Sequence, residues 1–395
     1  MTLRDDFDRL MLPLYAPPSP VFVRGAGAKV WDNQGRDYVD FGGGIAVLSL
    51  GHSAPQVAKA VARQAAKLTH TSNLFANDTA IRLACELTKH TFAERVFLCN
   101  SGAEANEAAL KLARKRGVSI NKKKHRILSF GGAFHGRIGM AMAATPNAKV
   151  RAGFGPLPGG FFSVPYNDLA EAKRRADDSL CAIIVEPTLG EGGVCPAAKG
   201  FLSGLRALAD KHNALLILDE IQTGAGRTGH LYQYMSEGIV PDVLTTAKGL
   251  GGGFPMAAML ANKIAANALG IGDHGTTFGG NPLAAAAALA VLQTINRPAF
   301  LRGVRNKSAM LIKQLQKANK KHNCFAAIRA RGLLTGCDVA AGWNAKTMTA
   351  QMLKAGAIVI TAGENTLRFA PPLNITSAEI KQGFDRINTA LSAMA

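Results

Sequence analysis

The sequence predicts an α/β protein with a large domain built on a mostly parallel, helix-covered sheet and a small α+β domain. Three observations lead to this prediction. Between about residues 95 and 260, short apolar runs without polar alternation are separated by segments of helical periodicity, which is typical of parallel strands buried on both faces. After about residue 295 this alternation gives way to amphipathic helices and short strands. The length of 395 residues also exceeds the usual size of one domain.

Six apolar runs are the candidate strands of the large sheet. They are residues 96–99, 127–130, 182–185, 215–218, 243–246 and 257–260. The clearest helical segments between them are residues 104–116 and 201–212. Because ligands of open parallel sheets bind beyond the carboxyl ends of the strands, the residues that follow these runs are candidates for a functional site.

The last hundred residues predict a long helix, three short strands and a final helix. The helices are expected at residues 300–320 and 377–391, and the strands are expected at residues 332–339, 357–361 and 367–370.

At the other end of the chain, apolar segments on both sides of a turn at Gly35 predict a hairpin that packs with the C-terminal part. We therefore divide the chain into an N-terminal segment (residues 1–45), a large domain (residues 46–295) and a small domain (residues 296–395).

Composition argues against several classes of protein. No apolar run reaches the ~20 residues that span a bilayer, and the N-terminus has acidic residues in place of the apolar core of a signal peptide. The six cysteines are scattered without a Cys-x-x-Cys pair, which favours reduced core thiols over disulfides or a zinc site. We therefore expect a cytoplasmic protein without a membrane segment or a metal.

The formal net charge is +19 and the pI is near 9.9. Such an excess is also found in nucleic-acid-binding proteins. Here the basic residues are mostly dispersed, and the densest run, at residues 121–126, has no aromatic side chains beside it that can stack on bases. We interpret the charge as a general property of the surface that can also attract anionic substrates, and we expect no nucleic-acid partner.

A Ser-Gly-Ala-Glu motif at residues 101–104 lies between a candidate strand and a candidate helix. Free N–H groups at the start of a helix, with a serine hydroxyl beside them, form a natural cradle for phosphate. Ser-x-x-Glu is also the signature of a capping box. The motif by itself leaves both interpretations open.

Two charged residues follow the apolar runs of the large domain. Asp219 ends the run at residues 215–218, where a carboxylate is unfavourable unless it meets a cation, and a protonated pyridinium can be that cation. Lys248 precedes a glycine-rich turn, and burial there would make its amine a nucleophile and a proton carrier. A strand-end cap and a lysine that extends to the surface are the alternatives.

The loop at residues 132–137 contains an aromatic ring and a guanidinium between glycines. Phe134 can stack on a flat ring, and Arg137 can hold a carboxylate through two donors. A lone aromatic residue is more often part of a core.

Six motifs occur in one order along the chain. They are Asn-Ser-Gly-Ala-Glu-Ala-Asn at residues 100–106, Ala-Phe-His-Gly-Arg at 133–137, Val-Glu-Pro with Gly-Glu-Gly-Gly at 185–187 and 190–193, Asp-Glu-Ile-Gln-Thr-Gly with Gly-Arg-Thr-Gly at 219–224 and 226–229, Thr-Ala-Lys-Gly-Leu-Gly-Gly-Gly-Phe-Pro at 246–255, and His-Gly-Thr-Thr-Phe-Gly-Gly-Asn-Pro at 274–282. Together, from about Pro20 onward, they resemble the class III aminotransferases, and most of all the acetylornithine/succinylornithine group.

The resemblance implies the fold type I of pyridoxal 5′-phosphate (PLP) enzymes, with a seven-stranded sheet, and a homodimer whose subunits share the active site. It implies PLP as cofactor, held covalently by Lys248. The other cofactor residues implied by matching position are Ser101, Gly102 and Ala103 at the phosphate, Phe134 on the ring, Asp219 at the ring nitrogen, Glu220 and Ile221 beside it, Gln222 at the ring hydroxyl, and Thr277, which reaches the phosphate from the second subunit.

The resemblance also implies how substrates bind. Arg137 would take the α-carboxylate of acetylornithine or the side-chain carboxylate of glutamate, and Arg368 would take the α-carboxylate of glutamate. Glu191 would neutralise Arg368 while the amine donor is bound, with Thr276 close to the incoming substrate. The implied reaction transfers the terminal amino group of N2-acetyl-L-ornithine to 2-oxoglutarate, in arginine biosynthesis.

Several alternatives remain at this point. Succinylornithine, ornithine, succinyl-diaminopimelate and 4-aminobutyrate are other possible donors, and an aminomutase or a racemase could use the same fold. Leu189 and Phe278 stand where glutamine and tyrosine are usual in the family. Both changes remove a polar atom near the site, so they put the preferred substrate in more doubt than the type of reaction.

Overall fold

The computed structural model describes residues 2–17 and 20–394. In chain order its strands are β1 (Phe22–Ala26), β2 (Lys29–Asp32), β3 (Asp37–Asp40), β4 (Arg95–Cys99), β5 (Arg126–Phe130), β6 (Phe161–Val164), β7 (Leu180–Val185), β8 (Thr188–Leu189), β9 (Cys195–Pro196), β10 (Leu215–Asp219), β11 (Val243–Thr246), β12 (Ala257–Ala261), β13 (Phe325–Arg331), β14 (Leu334–Val339), β15 (Ala357–Ile358), β16 (Ile360–Ala362) and β17 (Thr366–Phe369).

The helices are α1 (Leu3–Leu10), α2 (Gly43–Ala46), α3 (Pro55–Ala65), α4 (Asp78–Lys89), α5 (Gly102–Ile120), α6 (Gly139–Ala144), α7 (Ala148–Arg151), α8 (Leu169–Arg175), α9 (Phe201–Lys211), α10 (Lys263–Ala266), α11 (Pro282–Ile295), α12 (Pro298–His322), α13 (Ala345–Lys354) and α14 (Ser377–Ser392). Short 3₁₀ turns lie at Gln233–Ser236 and Lys248–Leu250.

The large sheet has seven strands in the order β4-β12-β11-β10-β7-β5-β6. Strand β12 runs antiparallel to both of its neighbours, and the other neighbouring pairs are parallel. Successive side chains of a strand point to opposite faces. Accordingly, Ile217 packs in the cluster that contains residues of α5, and Leu216 packs in the cluster that contains residues of α9. The prediction of a mostly parallel sheet covered on both faces is confirmed.

The two ends of the chain meet in a second sheet. Strands β1, β2 and β3 form an antiparallel meander, and β15 joins its edge parallel to β3. The remaining C-terminal strands form an antiparallel sheet in the order β13-β14-β17-β16. The segment boundaries at residues 45 and 295 stay predictions.

Two local expectations for the C-terminal part need correction. The run at residues 357–361, expected as one strand, forms β15 in one sheet and β16 in another, because a continuous apolar run does not encode its pairing partner. Strand β13 and helix α13 were not predicted. Four consecutive residues of β13 (327–330) are half-buried, so buried and exposed positions do not alternate along this strand. Its sequence therefore lacks the period-two pattern that usually marks a strand.

Within residues 2–17 and 20–394, no single helix is long and apolar enough to cross a membrane, although α11 and α12, bent by 77°, meet that description together. The same residues contain no group of three or more His, Cys, Asp or Glu side chains placed to hold a metal ion.

Candidate active site

A cavity of about 460 Å³ opens at the carboxyl edge of the large sheet, a volume typical of small-molecule and cofactor sites. The segments that follow β4, β5, β7, β10 and β11 all reach it. Its lining includes the predicted residues Ser101, Gly102, Ala103, Phe134, Arg137, Glu191, Asp219, Ile221, Gln222 and Lys248. Ten predicted residues, far apart in the sequence, thus surround one space.

Helix α5 begins at this cavity with a complete capping box. Ser101 Oγ accepts a hydrogen bond from the Glu104 N–H at 3.3 Å, and the Glu104 carboxylate accepts one from the Ser101 N–H at 2.8 Å. The N–H groups of Gly102 and Ala103 have no acceptor among the described residues and lie at the cavity wall. A side chain at Gly102 would place its Cβ 2.6 Å from Ile221. The two interpretations of the motif are therefore compatible, because the cap leaves two donors free for an anion.

Asp219 is buried at the end of β10 and its carboxylate is held from three sides. Asn106 Nδ2 donates to Oδ2 at 2.8 Å, His135 Nδ1 lies 2.8 Å from the same oxygen, and the Ile221 N–H donates to Oδ1 at 3.1 Å. Thr245 Oγ1 in turn donates to Asn106 Oδ1 at 2.7 Å. These bonds fix the direction in which the carboxylate faces.

The roles of Asn106 and His135 were missed from the sequence. Both lie in motifs of the family resemblance, Asn106 in the motif at residues 100–106 and His135 in the motif at residues 133–137. Membership of a motif was the only sequence signal for either residue, and it did not indicate a role. Nothing in a single sequence shows that these side chains converge on Asp219.

Lys248 lies beside Asp219 because their strands are parallel neighbours. The register pairs Asp219 with Thr245, so Lys248 follows just beyond the same edge. Its backbone has a φ of +41°, a left-handed conformation that is unusual for a lysine and is often found at functional sites. Burial lowers the pKa of the Lys248 amine, an effect that Glu191 opposes and Arg368 reinforces. The lowered pKa suits an amine that must react while neutral.

Glu186 is a second buried acid that the sequence did not single out as a site residue. Its carboxylate accepts hydrogen bonds from the N–H groups of Phe134 and Gly190, each at 2.9 Å. Burial raises the pKa of Glu186 to about 7, and the nearby charge of Asp219 acts in the same direction. Glu186 therefore fixes the backbone that carries Phe134. The centre of the Phe134 ring lies 5.9 Å from the guanidinium carbon of Arg137.

Arg368 reaches the site from β17 in the C-terminal part of the chain. Its Nη1 donates to Glu191 Oε1 at 2.6 Å, to Gln222 Oε1 at 3.0 Å and to the Gly190 carbonyl at 3.2 Å. Its Nε is buried and has no hydrogen-bond partner among the described residues. Burial opposes ionisation of Glu191, but Arg368 outweighs it and holds the pKa of Glu191 below its usual value. The pair is therefore charged, and the guanidinium uses only Nη1 in its hydrogen bonds to described residues.

Glu220 is not among the described residues that line the cavity, so its place among the cofactor residues stays a prediction. Adjacent strand residues face opposite ways, so Asp219 faces the cavity and Glu220 faces the other side. There its carboxylate accepts hydrogen bonds from the N–H groups of Gln233 at 2.6 Å and Tyr234 at 2.8 Å and from the hydroxyl of Thr223 at 3.0 Å. Burial raises the pKa of Glu220 to about 7. Its role is to hold the following loop.

The two threonines of the motif at residues 274–282 lie at the margin of the site. Thr276 Oγ1 accepts a hydrogen bond at 3.1 Å from Asn100 Nδ2, and Asn100 lines the cavity. Thr277 is exposed and does not line the cavity of its own chain. The expectation that Thr277 acts in a second subunit stays a prediction.

The residues present fit PLP. Two free N–H groups at the start of a 19-residue helix suit its phosphate, and the buried carboxylate of Asp219 suits its protonated ring nitrogen. Lys248 provides an amine in the same cavity for its aldehyde.

The comparisons with known proteins agree with this chemistry. The family described as Aminotransferase class-III matches residues 15–391. A succinylornithine transaminase from Yersinia pseudotuberculosis is 52% identical over 393 residues, which cover 97% of this chain and 95% of that protein.

Solved structures are also similar. An N-acetylornithine aminotransferase from Stenotrophomonas maltophilia is 40% identical with a TM-score of 0.86, over 96% of this chain and 97% of that one. An ornithine aminotransferase from Toxoplasma gondii is 32% identical with a TM-score of 0.94, over 100% and 96% respectively. The chain therefore belongs to the class III aminotransferases, which depend on PLP and pass an amino group from an amine donor to a keto acid.

Proposed function

We propose that this enzyme transfers the terminal amino group of N2-acetyl-L-ornithine to 2-oxoglutarate, forming N-acetylglutamate 5-semialdehyde and L-glutamate, as a step of arginine biosynthesis. The observation that carries the proposal is the charged Arg368–Glu191 pair beside the amine of Lys248. An enzyme of this kind must accept two different substrates at one place, and this pair suits both of them.

The two substrates differ in what lies next to the reacting carbon. In acetylornithine that carbon carries only a CH₂ chain and the amine, so a bare guanidinium nearby would stay unpaired. Glu191 neutralises Arg368 at 2.6 Å for this half of the reaction. In 2-oxoglutarate a carboxylate adjoins the keto carbon, and it can replace Glu191 as the acceptor at Arg368 Nη1.

The chain's own residues account for the remaining requirements. When bound, PLP supplies an electron sink for negative charge on the reacting carbon. Asp219, fixed by Asn106 and His135, keeps a proton on the ring nitrogen. We propose that Gln222 bonds the ring hydroxyl, that Phe134 covers the ring, and that Ser101, Gly102 and Ala103 hold the phosphate. Lys248 Nζ would hold the aldehyde of the cofactor in the resting enzyme and would move the proton at the reacting carbon.

We also propose a homodimer in which Thr277 of each subunit completes the other's site. The segment around Thr277 bears apolar side chains that one chain leaves in solvent. Phe278 is 60% exposed, and Leu74 and Phe75 are 86% and 71% exposed. Asn73 Nδ2 donates to the Thr276 carbonyl at 2.6 Å, so the two exposed segments are joined. Contiguous exposed apolar surface of this kind is typical of a subunit interface.

N2-succinyl-L-ornithine is the second candidate donor, favoured by the 52% identity to a succinylornithine transaminase. Values of kcat/KM for acetylornithine, succinylornithine, ornithine, succinyl-diaminopimelate and 4-aminobutyrate, each with 2-oxoglutarate, separate the candidates. We expect acetylornithine to give the highest value, with glutamate formed in equal amount to the donor consumed. A higher value for succinylornithine would replace the acetyl donor, and turnover without glutamate would indicate an aminomutase or a racemase.

Replacing Arg368 by lysine should raise KM for 2-oxoglutarate about 30-fold or more, because a buried carboxylate contact through the guanidinium fork is worth about 2 kcal/mol or more. KM for acetylornithine should change much less, since Glu191 masks the cation when the donor binds. Steady-state kinetics with each substrate varied in turn measures the difference. Arg331→Lys, at an exposed position, is the matched control. Equal increases for both substrates would contradict the assignment of Arg368 to the keto acid.

A further inference from the structure

A second cavity of about 560 Å³ lies between α3, α4 and α11 and shares no lining residue with the active site. Five cationic side chains surround it: Lys59, Arg63, Lys67, Arg82 and Arg297. Asp78 is the one carboxylate among the described residues of its lining, so these residues carry a net charge of +4. We call this cavity and its five cations the basic groove.

Most of the charge in the basic groove is not neutralised by the protein. Asp78 pairs with Lys67 at 2.9 Å. The side chains of Arg63 and Arg297 contact only main-chain carbonyl groups, and Lys59 and Arg82 have no hydrogen bond or ion pair within the described part of the chain.

The spacing of these cations is itself unfavourable. Lys59 and Arg63 lie four residues apart on α3. Like charges at this spacing repel each other on a helix. A bound anion would relieve that repulsion.

The floor of the groove indicates that a ligand is selected by charge. Its buried polar side chains, Gln64 and Thr79, already bond each other at 3.0 Å, and Gln64 Nε2 also donates to the Leu68 carbonyl. The rest of the floor is apolar, with Ala286, Leu289 and Ala290 of α11. No aromatic side chain is among the described residues that line the groove, so it offers no aromatic ring on which a nucleobase can stack.

We infer that the basic groove binds a small polyanion of the phosphate class, such as a polyphosphate chain, through its rim of guanidinium and ammonium groups. The volume is that of a small-molecule site, and multiply charged phosphate groups match a rim of several flexible cations better than a single carboxylate does. The inference is independent of which amine the active site prefers.

Calorimetric titration of the PLP-loaded enzyme with inorganic tripolyphosphate tests the inference. At about 0.1 M ionic strength, where the Debye length is about 10 Å, we expect saturable binding and a rise in Tm. The double variant Arg63→Gln with Arg82→Gln should raise Kd about tenfold and leave kcat for transamination unchanged. Lys320→Gln with Lys321→Gln, at exposed positions on α12, removes the same charge elsewhere and should bind as the unmodified enzyme does.

Other probes distinguish the alternatives. Adenosine triphosphate should bind no more tightly than tripolyphosphate, because the groove has no aromatic ring for the base among its described residues. Markedly tighter binding would show that the ligand is not selected by its phosphate charge alone. Absence of saturable tripolyphosphate binding, or equal loss in both double variants, would overturn the inference. Tighter binding of a short DNA oligonucleotide through Arg63 and Arg82 would also overturn it and would point to a nucleic-acid backbone.

Discussion

Replacing Lys248 by alanine should lower kcat for transamination by roughly 10²- to 10⁴-fold, the usual contribution of a positioned acid–base group. The variant should also lose the visible absorbance that PLP has when a lysine amine of its enzyme is bound to it. The reason is that Lys248 is the one amine among the described residues that line the 460 Å³ cavity. No other lysine can take over either of its roles there.

Lys263→Ala is the matched control, because Lys263 is exposed on α10 and far from the cavity lining. It should keep both the rate and the spectrum. A small primary amine added to the Lys248→Ala variant should restore part of the rate if the missing function is proton transfer. Full turnover of the variant without added amine would refute the assignment of Lys248.

Replacing Asp219 by asparagine should lower kcat about 10²- to 10⁴-fold, because removing one partner of a buried ion pair costs about 3–5 kcal/mol. The neutral amide cannot keep the cofactor ring nitrogen protonated, so the ring becomes a poorer electron sink. The new amide N–H₂ would also face the donor of Asn106, which now lies 2.8 Å from the carboxylate. Single-turnover rates with acetylornithine would show the loss in the chemical step.

Asp210→Asn is the control for Asp219→Asn. Asp210 is an exposed carboxylate paired with Arg206 at 2.6 Å, and exposed pairs contribute little. Near-ultraviolet circular dichroism of both variants checks that the fold is intact. A folded Asp219→Asn enzyme with an unchanged single-turnover rate would show that this carboxylate does not act on the cofactor.

Much of the candidate site could be predicted from sequence because its residues follow buried strands. Asp219 ends β10, Lys248 follows β11 and Ser101 follows β4. Apolar runs mark such strands, and parallel strands bring their carboxyl ends to one edge. The motif order then assigned roles by resemblance, and the family membership is confirmed.

Side-chain direction at a strand end was harder to predict. The sequence places Glu220 next to Asp219 in a site motif, yet Glu220 holds the loop at Gln233 and Tyr234 on the opposite side. Both acids belong to the same motif, although Asp219 faces the cavity and Glu220 holds the loop behind it. Only the segments packed against each carboxylate show its role, which are Asn106 and His135 for Asp219 and the loop at Gln233 for Glu220.

The sequence by itself determined the fold class, the strand ends and the chemical types of residue that follow them, because period-two and period-3.6 patterns are local properties of the chain. Tertiary structure alone decided that β12 runs antiparallel, that Asn106 and His135 orient Asp219, and that Arg368 meets Glu191 across 177 residues. These contacts depend on strand order and sheet packing, which bring distant segments of the chain together. The sequence of neither segment contains a periodic pattern that identifies its partner.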